Sequence, residues 1–208
     1  MKDKILNAIR YSVSQNGIKN YGHQFKAGYH TVEIDGEEIQ GQRNIGKRLA
    51  VMNYDFTGKT VLDLGCNAGG MLLKIADKIK QGVGVDYNSR LINVANLLRY
   101  SNEHNHLSFY VFDLIKEPTG QLSNFMRNPI DVCLMLSIAA NVSSWKDIVA
   151  WTRQNVETLI FEAHGEQTFI DEQVVVLNKH YASVKQLSAV CTDDNDGMKS
   201  RQLFIGNK

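Results

Sequence analysis

Three aspartates stand within or just after short apolar runs in the middle of the chain: Asp63, Asp86 and Asp113. Asp86 comes 23 residues after Asp63 and closes a run of valines and glycines. A carboxylate at such a strand end can accept both hydroxyls of a ribose, as the acidic residue about 20 positions beyond a glycine turn does in dinucleotide sites. Asp113 could accept a hydrogen bond from an exocyclic amine such as that of adenine. Asp86 or Asp113 could instead only cap the helix that follows it.

A glycine-bearing turn directly follows the first of these aspartates. The apolar run 61–64 is typical of a parallel strand that is covered on both faces. Gly65 and Gly69 allow backbone angles and close approaches that a Cβ would prevent. The residues from Met71 onward carry a helical apolar stripe. A strand, a glycine turn and a helix N-terminus together make a place where a ligand can lie against bare backbone.

Two later apolar runs also end in polar residues. Ser137 ends the run that begins at 131, and Asn141 follows it. Glu162 ends the run 157–162, and His164 follows two residues later. Histidine has an ordinary pKa of about 6.5, which suits proton removal near neutral pH. His164 is therefore a candidate general base, with Glu162 orienting it or binding the substrate. His164 could equally be an exposed loop residue.

Strands and helices alternate from residue 59 onward. This alternation predicts an α/β fold with a doubly wound, mostly parallel seven-stranded sheet and helices on both faces. Segments 184–190 and 202–205 predict an antiparallel C-terminal hairpin, joined by the polar turn 192–197. The predicted strands of the alternating part are 60–64, 82–86, 107–112, 130–136 and 157–162, and its predicted helices are 69–80, 88–101, 119–127, 144–155 and 167–180.

Residues 1–57 precede the first core strand and form an N-terminal segment, ahead of a main domain at 58–208. Segments 3–15 and about 43–53 predict helices, and 31–34 predicts a short strand. The second helix is predicted to face inward with Ile45, Leu49, Ala50 and Met52. The segment could be a lid that brings Tyr29 and His30 over the site, or it could only pack against the edge of the sheet.

Composition excludes several classes of protein. The formal net charge is +1, so nothing indicates a general attraction to nucleic acid or anionic membranes. The three cysteines are far apart, which indicates neither a disulfide framework nor a zinc site and suits a reducing compartment. The N-terminus lacks an apolar signal region, and the longest apolar run is less than half of the ~20 residues that a membrane span needs. We expect a soluble, cytoplasmic protein without a metal.

Over residues 58–163 the chain resembles the class I S-adenosylmethionine-dependent methyltransferases. Segment 61–70, Val-Leu-Asp-Leu-Gly-Cys-Asn-Ala-Gly-Gly, looks like the first motif of that family, and 84–87, Gly-Val-Asp-Tyr, looks like the second. The resemblance implies that S-adenosylmethionine is the cofactor and S-adenosylhomocysteine the product. It implies that Asp63 lies near the methionine amino group, Asp86 holds the ribose hydroxyls and Tyr87 lies against adenine. The other implied cofactor contacts are Gly65, Cys66, Asn67 and Gly69 around the methionine and ribose, Asp113 and Leu114 at the adenine, and Ser137.

The first motif departs from the family pattern at Asn67, where glycine is more usual. Asparagine tolerates unusual backbone angles, so the departure is small. A nicotinamide-dependent dehydrogenase is the rival, but its G-x-G-x-x-G would map onto Gly65, Asn67 and Gly70 and lack the middle glycine. Asp63 inside the strand and the terminal hairpin also favour the methyltransferase.

The methyl acceptor is less constrained. Segment 137–140 does not match the Asn-Pro-Pro-aromatic motif that many nucleic-acid amino-methyltransferases carry. The balanced charge and the lack of an appended RNA-binding domain favour an oxygen or nitrogen of a small molecule as the methyl acceptor. The candidate substrate or lid residues are Tyr29, His30 and Asn141. Short resemblances to tRNA wobble-uridine and RNA phosphate-capping methyltransferases, at 28–36, 64–67 and 89–92, leave RNA open. A catalytically silent cofactor-binding or regulatory protein is the alternative of another class.

Overall fold

The structure is a computed structural model that describes residues 1–13, 24–191, 193–194 and 201–208. Its helices are α1 (Lys2–Val13), α2 (Ile45–Met52), α3 (Gly70–Lys74), α4 (Ser89–Ser101), α5 (Trp145–Asn155) and α6 (Gln167–His180). Its strands are β1 (Val32–Ile34), β2 (Glu37–Ile39), β3 (Thr60–Leu64), β4 (Gln81–Asp86), β5 (Leu107–Val111), β6 (Ile130–Leu136), β7 (Val156–Ala163), β8 (Ser183–Ser188) and β9 (Gln202–Asn207). Short 3-10 helices span Thr119–Phe125 and Ala139–Asn141.

Seven of the described strands form one sheet in the order β5-β4-β3-β6-β7-β9-β8. The first five strands in this order run parallel, and β9 is antiparallel to both β7 and β8. The predicted doubly wound sheet with an antiparallel C-terminal strand pair is therefore confirmed. Strand order reverses between β3 and β6, and this switch point leaves a crevice beyond the carboxyl ends of the two strands.

Strand β3 lies inside the sheet, between β4 and β6, and contributes side chains to the cores on both faces. All five of its residues are buried, as the continuous apolar run predicts. Val61 packs on the face that carries Met71 of α3, and Leu62 packs on the opposite face with Ile148 of α5. The strand is therefore held from both sides, which makes the loop after Leu64 a well-positioned place for a site.

The helix predicted at 69–80 is shorter than expected. Regular helix ends at Lys74, and Ala76 and Lys78 then donate to carbonyls three residues back instead of four. The predicted apolar stripe is nevertheless buried, because Ile75 and Ile79 pack in the same core as α3. The apolar period therefore predicts which residues are buried, but it does not distinguish a helix from a tighter turn.

The N-terminal segment is packed onto the sheet domain. In α1, Ile5, Leu6 and Ile9 are buried in a core that also contains Val94 and Leu98 of α4. Strands β1 and β2 form a small antiparallel hairpin, of which only β1 was predicted. Positions 14 and 15 of the predicted first helix lie outside the described residues.

The polar turn predicted at 192–197 lies mostly outside the described residues. Of segment 192–197, only Asp193 and Asp194 are described, and Asp193 is fully buried. Its carbonyl accepts a hydrogen bond from the backbone N–H of Asn44 at 2.8 Å. Asp193 is therefore held against the N-terminal segment, where Arg43 also binds its carboxylate.

Strand β5 is one edge of the main sheet. Gly82 donates to the His106 carbonyl, so the next carbonyl along, that of Leu107, points away from β4. Side chains of α4 bind the outward carbonyls: Arg99 Nη1 donates to Leu107 at 3.4 Å and Asn96 Nδ2 to Phe109 at 3.3 Å. The helix thus covers part of the open edge.

Candidate functional site

A cavity of about 590 Å³ opens at the carboxyl ends of the central strands. Its floor comes from the loops that follow β3, β4, β5 and β6. Its opposite wall comes from the N-terminal segment, with α1 and segment 27–29 contributing Ile9, Ser12, Ala27, Gly28 and Tyr29. The volume lies in the range of sites that enclose a small molecule or a cofactor.

The glycine turn forms the part of the floor next to β3. Gly65 has φ 69° and Asn67 has φ 54°, so both residues adopt the left-handed conformation that the sequence predicts for this turn. A Cβ on Gly65 would come within 2.7 Å of Ile138 Cγ2. The Asn67 side chain accepts a hydrogen bond from Ala68 N–H at 2.8 Å, which stabilises the turn. Gly65 and Asn67 line the cavity.

Two residues of the same turn lie below this surface. Cys66 is buried and its thiol contacts the Asn67 carbonyl at 3.6 Å. Gly69 also has positive φ, and a Cβ there would meet the Phe109 ring at 2.6 Å. Neither residue lines the cavity. Their direct contact with a ligand, which the family resemblance implies, stays a prediction.

Asp86 lies beside the turn at the end of β4. Its two oxygens accept hydrogen bonds from the backbone N–H groups of Asn67 and Asn88, both at 2.9 Å. Asp86 does not cap α4, because the Asn88 side chain performs that role by accepting from Arg90 and Leu91 N–H. Burial raises the pKa of Asp86, and the two backbone hydrogen bonds oppose this rise. Since a carboxylate offers about four acceptor positions, it retains capacity for two hydroxyls in the cavity.

Asp63 lies in β3, beneath the turn. It is 2% exposed, and its Oδ2 atom is buried without a hydrogen-bond partner in the described part of the chain. Burial raises its pKa to about 7, although Arg48 opposes that rise. Asp63 does not line the cavity. An uncompensated buried oxygen of this kind suits a site that binds a cation, directly or through water.

The residues after β4 and β5 form one end of the cavity. Tyr87 is 57% exposed at its rim, and Leu114 and Asp113 line it. Asp113 also caps the next turn, because its Oδ1 accepts from Ile115 N–H at 2.9 Å and from Lys116 N–H at 3.3 Å. The backbone bond from Ile115 is the largest influence that lowers the pKa of Asp113. Asp113 thus stabilises the turn directly after it and does not cap the next helix, which begins at Thr119 after Pro118. A contact between Asp113 and a ligand stays a prediction.

The other end of the cavity lies at the end of β6. Ser137, Asn141 and Tyr29 line it, and Tyr29 faces it from the N-terminal segment. Burial raises the pKa of Tyr29, and Arg43 and Arg48 oppose this, so the hydroxyl keeps its proton at neutral pH. These three residues, predicted for cofactor or substrate, do come together at one end of the cavity.

His30 lies elsewhere. It is 4% exposed and packs against Gly70 at the start of α3. Its Nδ1 has no hydrogen-bond partner among the described residues. Burial, followed by the charges of Arg48 and Arg43, holds its pKa well below the usual value, so the ring is neutral. His30 does not line the cavity, and its place in the substrate site or lid stays a prediction.

A buried ionic cluster lies behind Tyr29 and Ser137. We call it the arginine–carboxylate cluster; its members are Arg43, Arg48, Arg201, Glu162, Asp193 and Asp194. Arg43 binds Asp193 through two hydrogen bonds of 2.7 Å. The cluster joins the N-terminal segment to β7 and to the connection between β8 and β9, so it positions the wall of the cavity against its floor.

Glu162 is the central member of this cluster. One oxygen accepts from Arg48 Nε at 3.1 Å and Nη2 at 2.6 Å. The other accepts from Arg201 at 3.1 Å, from Arg43 at 3.5 Å and from the Ser137 hydroxyl. Burial alone would raise the pKa of Glu162, but Arg48 and Arg43 outweigh it and keep the pKa below its usual value. The expected role of Glu162 in orienting His164 or binding substrate is hard to reconcile with a carboxylate that is fully engaged and does not line the cavity.

His164 follows β7 and is half-buried outside the lining of the cavity. Its carbonyl accepts a hydrogen bond from Gln173 Nε2 of α6 at 3.0 Å, which ties this part of the loop to the helix. General-base catalysis by His164 therefore stays a prediction without support from its position.

The sequence gives little indication of the arginine–carboxylate cluster. Its cations and carboxylates are scattered over the chain: 119 residues separate Arg43 from Glu162, and 150 separate it from Asp193. The α1 side of the cavity was also missed, because Ile9 and Ser12 belong to an ordinary amphipathic helix. Lys116, which also lines the cavity, was missed because an isolated surface lysine belongs to no recognisable sequence pattern.

The arrangement fits a nucleoside that carries a cationic tail. Asp86 can accept two hydroxyls, the glycine turn gives close backbone approach, and Asp63 supplies a buried carboxylate at the turn. In the described ranges, no three His, Cys, Asp or Glu side chains come together as a metal site. None of the helices there combines the length and apolar character that crossing a bilayer requires.

Comparison with known proteins supports this fit. The model of a methyltransferase-domain family matches residues 55–199, which is more than half of the chain. A search of curated proteins finds no match to this sequence. The N-terminal domain of EvdMO1, solved with S-adenosylhomocysteine bound, is similar with a TM-score of 0.70 and 9% identity, over 100% of this chain and 97% of that one.

Two other solved structures are similar over smaller shares of their own length. WbdD, described as a bifunctional kinase-methyltransferase, has a TM-score of 0.71 and 18% identity, over 97% of this chain and 46% of WbdD. In another WbdD structure the chain spans 41% of that protein. A dimethyladenosine transferase from Plasmodium falciparum has a TM-score of 0.57 and 16% identity, over 80% of this chain and 62% of that one.

At these identities the structural likeness shows the fold, and the family match adds the kind of protein. The dehydrogenase alternative is set aside, because the matched family is one of methyltransferases. The chain belongs to the methyltransferase-domain family and has the Rossmann-like fold of the class I S-adenosylmethionine-dependent methyltransferases.

Proposed function

We propose that the protein transfers a methyl group from S-adenosylmethionine to an oxygen or nitrogen of a small molecule. The observation that carries this proposal is that the cavity is lined from two sides. The strand ends form its floor, and α1 together with segment 27–29 covers it from the opposite side. A cavity of about 590 Å³ with walls on two sides suits a cofactor with a compact acceptor beside it.

The cofactor supplies a methyl group that is already activated on a sulfonium. The protein therefore contributes mainly by holding the two reactants in line. Asp86 binds the ribose hydroxyls, while Tyr87, Asp113 and Leu114 bind the adenine end. Ser137 lies at the methionine end and Asn141 beside the acceptor.

In this proposal the N-terminal segment is a fixed wall instead of a mobile lid. Ile5 is completely buried, and Leu6 and Ile9 are nearly so, against α4. Arg43 and Arg48 anchor the same segment to Glu162 by buried ion pairs. Removing such contacts in each catalytic cycle would cost more free energy than a lid motion normally involves. Tyr29 then limits the size of the acceptor from a fixed position.

The charge of the cavity also supports a small acceptor. Lys116 is the one lysine, arginine or histidine among the described residues that line the cavity, and it pairs with Asp113 at 3.0 Å. Proteins that bind RNA strands use a continuous basic groove, often with exposed aromatic side chains for stacking. With a net charge of +1, the chain lacks a general excess of such cations.

The test is a methyl-transfer screen with S-adenosylmethionine labelled in the methyl group. We expect label to enter a fraction of small metabolites and not total RNA. Transfer to RNA alone would replace the small-molecule proposal by the RNA alternative. An absence of transfer to every pool, with tight binding of S-adenosylhomocysteine, would favour a silent cofactor-binding protein.

A further inference from the structure

We propose that Arg201 is a positioning residue of the cavity. Together with Glu162 it fixes the orientation of the Ser137 hydroxyl. In this orientation the hydroxyl oxygen accepts a hydrogen bond from a cationic N–H group of the ligand. Arg201 precedes β9 and is 5% exposed, so it acts from behind the lining. The inference rests on the proposed cofactor site, because the ligand cation in question is the amino group of the methionine portion.

The hydrogen bonds determine which way the Ser137 hydroxyl points. Arg201 Nη1 donates to Ser137 Oγ at 2.8 Å, and Ser137 Oγ also bonds to Glu162 Oε1. An ionised carboxylate only accepts and a guanidinium only donates, so the serine proton points to Glu162 and one lone pair to Arg201. The capacity that remains on Oγ is a second lone pair. Ser137 can therefore receive a hydrogen bond from the ligand but has no further proton to give.

The same guanidinium nitrogen connects both walls of the cavity. Arg201 Nη1 lies 3.1 Å from Glu162 Oε1 and 3.3 Å from the Tyr29 hydroxyl. Tyr29 belongs to the N-terminal wall and Ser137 to the floor, and both line the cavity. A single buried nitrogen thus sets the distance between the two side chains at this end.

The backbone of Ser137 supports a positioned role. Its φ is 58°, a left-handed conformation that a residue with a Cβ rarely adopts. Its N–H donates to the Glu162 carbonyl at 3.2 Å. Such conformations persist where the surrounding structure holds them, and they concentrate at ligand sites. Here the holding groups are the Glu162 backbone and the Arg201 and Glu162 side chains.

Sheet order identifies the part of the ligand that reaches Ser137. The carboxyl ends of β4, β3 and β6 lie side by side, which places Asp86, Gly65 and Ser137 in a row. With the ribose at Asp86 and the adenine toward β5, the amino-acid portion extends past Gly65 toward Ser137. An ammonium group has only donors, so it complements a serine whose hydroxyl proton is already committed.

The test compares two ligands of the intact protein by calorimetric titration. S-adenosylhomocysteine carries the amino-acid portion, and 5′-methylthioadenosine keeps the adenosine and sulfur without it. We expect Arg201→Gln and Ser137→Ala each to weaken S-adenosylhomocysteine about tenfold, which is the usual effect of losing one hydrogen bond to a charged group. Binding of 5′-methylthioadenosine should stay within about twofold of the wild type. The double variant should lose no more than the larger single loss, because the two residues act as one unit.

Arg153→Gln is the control, since Arg153 is half-buried and donates to the His180 carbonyl at 2.8 Å, away from the cavity. Its affinities for both ligands should equal those of the wild type. The inference is overturned if the Arg201 and Ser137 variants bind S-adenosylhomocysteine normally, if they lose both ligands alike, or if their losses add. If Arg201→Gln does not fold, Arg201→Lys takes its place in the same comparison, because it keeps the buried positive charge and removes the guanidinium that binds both Ser137 and Glu162. Failure of the proposed function is distinct, because the wild type would then bind neither ligand.

Discussion

Asp63 should make the stability of the protein depend on pH in an unusual direction. Burial raises its pKa from 3.8 to about 7. Between these values the unfolded chain has released the Asp63 proton and the folded protein has kept it. The unfolded state therefore binds fewer protons, so the free energy of unfolding falls as pH rises through this window. Most paired carboxylates act in the opposite direction.

The magnitude follows from the pKa shift. Each pKa unit corresponds to about 1.4 kcal/mol, so the whole shift is worth about 4 kcal/mol between pH 4 and pH 8. Between pH 5 and pH 8 the expected loss is about 2–3 kcal/mol. Asp63→Asn removes this titration while it keeps the shape of the side chain. The unpaired amide costs about 1–3 kcal/mol, but that cost does not change with pH.

The measurement is urea unfolding of wild type and Asp63→Asn at pH 5, 6, 7 and 8. Raised pKa values at other sites, such as Asp86, affect both proteins and cancel in the difference. We expect the stability of the variant to rise by about 2–3 kcal/mol relative to that of the wild type between pH 5 and pH 8. If the two proteins show parallel pH profiles, Asp63 is already ionised at pH 5 and the account of its burial is wrong.

Ligand binding should report the same proton. If the amino group of the cofactor binds near ionised Asp63, then binding below pH 7 requires that this residue first lose its proton. The dissociation constant of S-adenosylhomocysteine should then be about tenfold higher at pH 6 than at pH 8. Titrations in buffers of different ionisation enthalpy should show release of about one proton at pH 6. An affinity independent of pH would place the cofactor cation away from Asp63.

Three further variants test the site and its support. Asp86→Ala should weaken S-adenosylhomocysteine and 5′-methylthioadenosine alike, about a hundredfold by calorimetry, since both carry the ribose; unchanged binding would remove the ribose assignment. Gly65→Ala should lower the free energy of unfolding by about 1–3 kcal/mol, because φ is 69° and the new Cβ meets Ile138. Adding Ile138→Ala to this variant should recover the part of the loss that comes from the clash with Ile138. If Gly65→Ala costs nothing, the turn adapts to the new Cβ. Glu162→Gln should lower the free energy of unfolding, measured in urea, by about 3–5 kcal/mol. The control Glu157→Gln breaks an exposed ion pair and should lower it by at most about 1 kcal/mol. Equal losses would refute the importance of burial for the Glu162 ion pairs.

The fold was largely predictable because its strands and helices carry local apolar patterns. Strand β6 and helix α6 have the predicted bounds, 130–136 and 167–180. Each is determined by side chains that repeat within one element, at a period of two or near four, or by a continuous apolar run. The switch point between β3 and β6 then follows from chain connectivity and the handedness of crossovers.

The support of the site was less predictable because its partners are distant along the chain. In helix α2, Ala50 was expected to face inward but is exposed, and Arg48 is buried at 3% exposure. Arg48 is buried because Glu162, 114 residues away, binds its guanidinium. An apolar pattern assigns charged residues to the surface, so it cannot identify a helix that buries an arginine.

The hydrogen bonds from Asn96 and Arg99 to the outer carbonyls of β5 have a consequence for association between copies of the chain. An open strand edge is a template on which a foreign strand can add, and the exposed Tyr110 and Val111 would make this edge adhesive. Two of its acceptors are instead occupied from within the same molecule. An incoming strand would have to displace both side chains before it gained its own hydrogen bonds. The chain thereby opposes intermolecular sheet growth at this edge without the proline, bulge or shortened strand that other proteins use.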